Sequence, residues 1–151
     1  DGWQPCSGPG GRLHVEWVAT FSGLRIRFLV DAESDPEQHG IAADFIQTHC
    51  TVDSPCAVST IALCELAWVL QRVYKVARED IADQITALLD AQQLHVPDRE
   101  LVRRALADYR QSGADFPDHV IAWYGKAAGA EETATFDKKA GKAPLFRYIG
   151  L

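Results

Sequence analysis

Hydrophobic and polar positions along this chain follow two rhythms. Arg78 to Leu89 carries Ile81, Ile85, Leu88 and Leu89 as one stripe, the spacing of an amphipathic helix. Ala57 to Tyr74 is a longer apolar segment. Beyond its first few residues, Ile61, Leu66, Trp68, Val69, Leu70 and Val73 fit a second helix. Pro97 to Tyr109, opened by Pro97-Asp98, and Asp115 to Ala128 predict two more, with Gly113 as the break between them. Asp35-Pro36-Glu37 marks a further helix start, with Asp at the N-cap and Pro in the first turn. Ile41, Ala42, Phe45 and Ile46 then share one face.

Between these blocks lie short β-branched or aromatic runs. Leu13 to Phe21, Leu94 to Val96, Thr133 to Phe136 and Leu145 to Ile149 read as strands, and Ile26 to Val30 as strand or buried helix. Ser22-Gly23 and Asp53-Ser54-Pro55 punctuate the chain as turns. Residues 1–12, rich in Gly, Pro and Ser, read as a disordered lead to one domain over 13–151. Strands alternating with helices predict an α/β fold with a parallel sheet wrapped by helices.

Composition narrows the classes. At 151 residues and 47% hydrophobic, the chain can build one real core. A net charge of -6 argues against holding nucleic acid by bulk electrostatics, but not against a local basic patch aided by a metal. No apolar run approaches the ~20 residues of a membrane helix. The start, Asp1-Gly2-Trp3, has no secretory pattern. Methionine is absent, position 1 included, which suggests a trimmed or fragmentary product or a true start elsewhere. Cys6, Cys50, Cys56 and Cys64 lack a zinc spacing, and Cys64 reads as a buried thiol. A reduced cytoplasmic setting fits best, with a Cys50–Cys56 disulfide as the lesser alternative.

Three places carry acids that the core pattern does not explain. Glu65 lies inside Ile61-Ala62-Leu63-Cys64 and Leu66-Ala67-Trp68-Val69-Leu70, a helix apolar on nearly every side and so expected to be buried. A buried carboxylate needs a compensating cation or a raised pKa. The competing reading is a partly exposed Glu65, or one paired with a nearby Arg such as Arg72. Asp115 and Asp118 precede His119-Val120-Ile121 in the pattern of an N-cap and capping box, and capping alone would explain both. Asp137 follows the Thr133–Phe136 run, where a parallel strand ends, and an ordinary strand-to-turn Asp is the competing reading. Brought together, such carboxylates would repel one another unless a hard divalent ion joined them. That ion could activate water against a phosphodiester. Lys138, Lys139, Lys142 and Arg147 follow closely, as a solvated tail or as phosphate contacts.

The runs VSTIALCELAWVLQRVYKVARED, GADFPDHVIAWYGKAAGAEETATFDKKA and LFRYI, together with FLVDAESDPEQHGIAADFI, resemble the PIN-domain proteins of the VapC toxin group. The resemblance extends from about Ile26 to Leu151. It implies a three-layer α/β/α sandwich with a central parallel sheet. It further implies Mg²⁺- or Mn²⁺-dependent RNA cleavage, a VapB-like antitoxin partner and homodimers. Residue by residue, it implies Glu65, Asp118 and Asp137 as metal ligands, Asp115 as an auxiliary acid, and Lys138 and Lys139 beside the RNA. One element departs from the pattern. The family's first strand ends in an Asp that should fall near Phe21, where this chain reads Thr20-Phe21-Ser22-Gly23, and no Asp lies between Asp1 and Asp31. Three readings therefore stand: an active endoribonuclease toxin, a catalytically impaired scaffold that still binds an antitoxin, or a small α/β interaction domain whose acids are caps and solvated charges.

Overall fold

The computed structural model describes residues 36–151. The expected lead over 1–12, the runs at 13–21 and 26–30, and the Asp35 cap lie outside the described residues. The fold is mixed α and β, with parallel strand pairing.

Helix α1 (Pro36–His49) begins at the expected proline. Its predicted face is only partly inward: Ala42 is buried and Ile46 packs on the core, while Ile41 is exposed and Phe45 stacks on His49. The Asp53-Ser54-Pro55 turn follows, with the Thr51 N–H donating to the Ser54 carbonyl and the Ser54 N–H to Thr51 Oγ1, both at 3.1 Å. This turn brings Cys50 and Cys56 to a Cα separation of 5.0 Å, and they form a disulfide. That corrects the expectation of reduced thiols; five-residue spacing reads poorly as a zinc site but suits a closed turn. The bond ties the end of α1 to strand β1 (Cys56–Ala57).

Helix α2 (Thr60–Arg72) starts where Ser59 Oγ accepts the Ala62 N–H at 3.1 Å. It is not buried all round as expected. Leu63, Leu66 and Leu70 face the core, while Ile61 and Trp68 are 74% and 54% exposed. Helix α3 (Arg78–Asp90) buries the whole predicted stripe of Ile81, Ile85, Leu88 and Leu89. Each such side chain contributes about 1.5–3 kcal/mol of apolar burial. Strand β2 (Leu94–His95) then pairs parallel with β1, in the register Cys56 to Leu94 and Ala57 to His95.

Helix α4 (Arg99–Gln111) packs on α3 and on α5 (Phe116–Ala127). Asp98, before α4, adopts a left-handed conformation (φ 52°), which Asp tolerates better than most residues. Its carboxylate accepts the Tyr124 hydroxyl at 3.0 Å, and Tyr124 also meets Thr60 Oγ1 at 3.2 Å, linking the starts of α4 and α2 through α5. Strand β3 (Thr133–Thr135) and strand β4 (Phe146–Tyr148) pair in parallel, separated by a 3-10 turn at Ala140–Lys142. Among the described residues the strands thus form two separate two-stranded ribbons rather than the single central sheet the resemblance implied. No helix among them is long and apolar enough to cross a membrane.

The junction between α4 and α5 depends on a residue the hydrophobic pattern does not mark. The Arg78 guanidinium donates to the carbonyls of Tyr109 (2.8 Å), Ala114 (2.9 Å) and Gly113 (3.4 Å). It also lies 4.1 Å from the Tyr109 ring centroid. The Tyr109 carbonyl is one that the last turn of α4 cannot satisfy itself, those of Gly113 and Ala114 lie in the link to α5, and a cation is favoured at that end of a helix. Tyr109 in turn meets Phe116 edge-on inside the core.

Candidate functional site

Asp115 and Asp118 sit where a capping box needs them. The Asp115 N–H donates to Asp118 Oδ2 at 3.2 Å at the start of α5. Asp115 has further duties: its carboxylate accepts Gln71 Nε2 at 3.1 Å and Arg72 Nη2 at 3.5 Å, both from the end of α2. Arg72, a partner considered for Glu65, reaches Asp115.

Asp118 is in a different condition. Burial pushes its carboxyl above the usual carboxylate range, and the Asp115 N–H opposes that rise. The negative charges of Asp115 and Asp137 push it further up. Asp137 lies just beyond β3, as the strand reading predicted. Its N–H donates to Thr135 Oγ1 at 3.0 Å, and its Oδ1 accepts the N–H groups of Lys139 (2.6 Å) and Ala140 (3.2 Å). The Asp therefore shapes the strand-to-turn corner and holds its charge against Asp118.

Glu65 is half-buried on α2. Glu65, Asp118 and Asp137 do not meet as a three-carboxylate group, and the described residues contain no group of three or more His, Cys, Asp or Glu that could hold a metal ion. The structure thus brings Asp115 and Asp137 within electrostatic reach of Asp118. The donor chemistry of the Asp118–Asp137 pair suits a hard cation, whose charge would relieve their repulsion. As placed, the pair is an incomplete ligand set.

The basic residues after Asp137 divide. Arg147 pairs with Glu132, and Lys138 is exposed. Lys139 and Lys142 line a cleft of about 300 Å³ together with Ser112, Gly113 and Asp108 at the end of α4. Behind Ser112 stands His119, fully buried, with Nε2 2.6 Å from Ser112 Oγ and its ring edge-on to Phe146. Burial lowers the His119 pKa, Asp108 opposes that shift, and Arg78 adds to it. Neither Ser112 nor His119 stands out in the sequence, where His119 looks like one more position on the inward face of α5.

The Cys64 thiol, half-buried on α2, is pushed up to about 11 by burial, which leaves it protonated and unreactive. Compared with known proteins, the chain matches no family model, and no curated protein or solved structure is significantly similar to it.

Proposed function

We propose that this chain is a metal-dependent endoribonuclease of the PIN type, the toxin partner of a VapB-like antitoxin. In this reading Asp118 and Asp137 hold a Mg²⁺ or Mn²⁺ ion, Glu65 supplies a further carboxylate, and Asp115 positions Asp118 through the helix cap. The parallel ribbons are read as parts of a three-layer α/β/α sandwich, and the protein works as a homodimer. The observation that carries the reading is the crowding of Asp118 by Asp115 and Asp137, since a half-buried acid pressed by other acids is what a cation site requires. When bound, the ion supplies charge stabilisation to a phosphodiester and an acidified water. The test is RNA cleavage with Mg²⁺ or Mn²⁺, measured for the native chain and for Asp118→Asn. The expected loss in the variant is at least about a hundredfold, the scale of removing one strong electrostatic contact from a transition state. Absence of cleavage by the native chain with either metal overturns the assignment.

A second reading has its own support: a PIN-like scaffold that binds an antitoxin without cutting RNA. It is favoured by the missing Asp near Phe21 and by the incomplete acid group among the described residues. Calorimetry separates the two, since the scaffold takes up antitoxin but no Mn²⁺.

A further inference from the structure

The cleft beside Ser112 has a polarity that can be worked out from its hydrogen bonds. Ser112 Oγ accepts the Ala114 N–H at 3.3 Å and lies 2.6 Å from His119 Nε2. His119 Nδ1 is buried with no hydrogen-bond partner. If Nδ1 carried the imidazole proton, an N–H would be buried unsatisfied, at a cost of about 1–3 kcal/mol and of a kind that folded proteins rarely tolerate. Placing the proton on Nε2 leaves only a bare lone pair inside. Nε2–H then donates to Ser112 Oγ. Both hydroxyl lone pairs are thereby used, one by His119 and one by the Ala114 N–H, and the Ser112 O–H is left to donate into the cleft.

The opposite wall is cationic. Lys139 and Lys142 line the cleft, and among the described residues neither forms an ion pair. The Lys139 stem lies along Gly113, with its Cβ, Cγ and Cδ 3.6–3.9 Å from where a side chain on that glycine would begin. Asp108 also lines the cleft, but its Oδ2 accepts the Trp123 indole N–H at 2.8 Å. Two ammonium groups and an oriented hydroxyl donor thus outweigh one carboxylate already hydrogen-bonded elsewhere.

We propose that this cleft holds a backbone phosphate of single-stranded RNA, with the Ser112 O–H donating to it and Lys139 and Lys142 neutralising it. That the phosphate belongs to RNA rests on the ribonuclease reading above; the anion preference rests on the cleft. The turn from Asp137 to Lys142 joins the two sites. Asp137 Oδ1 holds the Lys139 and Ala140 N–H groups on the acidic side, while Lys139 and Lys142 face the cleft. A phosphate seated there would fix the register of the strand next to the acids without reading its sequence.

The test uses fluorescence anisotropy of a short fluorescein-labelled oligouridylate in EDTA, so that neither metal nor cleavage contributes. Lys139→Ala/Lys142→Ala is expected to weaken binding about tenfold and to lower the salt slope by about 1.4, the single-strand signature of two lost lysine contacts to the backbone. Ser112→Ala is expected to weaken it less. Since that change also removes the partner of His119, the exposed lysine pair is the decisive variant, its fold checked by thermal melting. Lys75→Ala, at an exposed position outside the cleft, is expected to leave affinity unchanged. An equal loss in Lys75→Ala, or no loss in the double variant, overturns the proposal. Binding of inorganic phosphate without any oligonucleotide binding overturns the RNA assignment. Cleft-dependent oligonucleotide binding by a chain that never cleaves RNA supports the cleft and removes the ribonuclease. Cleavage at an unchanged KM in the double variant does the reverse.

Discussion

Carboxylates are treated in opposite ways in two neighbouring parts of this molecule. Across the α3–α4 face three acids meet a guanidinium: Arg110 bonds Glu79 at 2.7 Å and Asp83 at 2.8 Å, and Arg103 bonds Asp90 at 2.7 Å. At the start of α5 and the end of β3, Asp118 instead faces Asp115 and Asp137; burial raises its proton affinity and these two charges add to the rise. The residue types are the same and the chain distances similar. The difference is that each acid of the first set meets a guanidinium, whereas in the second only Asp115 meets one, Arg72, and Asp118 bears the charge of its neighbours. Charge left unneutralised inside a fold lowers stability and is retained where a ligand relieves it. That contrast can be broken or sharpened by substitution.

The largest effect is expected on the matched side, at Arg78. Arg78→Ala strands the carbonyls of Tyr109, Ala114 and Gly113 and removes the cation over Tyr109. Chemical denaturation should show a loss of about 3 kcal/mol, the sum of a charged hydrogen-bonded fork and a partly desolvated cation–π contact. Arg78→Lys should recover little, because an ammonium cannot span three carbonyls from one plane. A cost under about 1 kcal/mol would mean the α4–α5 junction is held by core packing alone, at Tyr109 and Phe116.

A smaller effect of opposite sign is expected on the unmatched side. The folded-state pKa of Asp118 is raised, so between the unfolded and folded values the native state binds the extra proton. Stability from this group is therefore present below the unfolded carboxylate pKa and is lost as pH rises through the folded one. Asp118→Asn keeps an acceptor for the Asp115 N–H and removes the charge. At neutral pH the variant should melt roughly 2 °C higher than the native chain, a modest gain because the group is only half-buried and solvent screens it. The gain should vanish in acid. Mn²⁺ should raise the melting temperature of the native chain and not of the variant. A variant that melts lower at neutral pH would show Asp118 to be a cap and nothing more.

Much of the first half of this contrast is legible in the sequence, and little of the second. The α3 stripe, the short strand at Leu94 and the helix start at Asp115 follow from local periodicity and capping, which depend on residues three or four apart. The two-sided character of α2 is not legible, because a run of apolar residues does not say which face a neighbour covers; Ile61 and Trp68 proved exposed. Partnerships across the chain are hidden for the same reason. Arg78 finds carbonyls more than thirty residues away, and Arg72 reaches Asp115 from the next helix but two. Asp118 and Asp137 were both readable as candidates from their positions at a helix start and a strand end. That they would press on each other required the packing of α5 against the β3 corner.

The smallest effect tests whether the matched acids are structural at all. Arg110 sits at the edge of α4 with its side chain 31% exposed, and its partners Glu79 and Asp83 are more exposed still. Exposed ion pairs return little, because ordering two long side chains offsets most of the Coulomb gain. Here one guanidinium serves two carboxylates on α3 and also donates to Thr86 Oγ1, so its ordering is shared among several bonds. Arg110→Gln is therefore expected to cost about 0.5–1 kcal/mol in dilute buffer, near the upper end for such pairs, and much less in molar salt, where surface charges are screened within a few ångströms. Salt should also raise the stability of the native chain through the Asp115–Asp118–Asp137 group while lowering it through Arg110. In Asp118→Asn the first of these responses disappears, so its melting temperature should fall with added salt where that of the native chain holds steady. Equal salt responses in the two proteins would place the acids of both regions under the same solvent screening and erase the distinction between them.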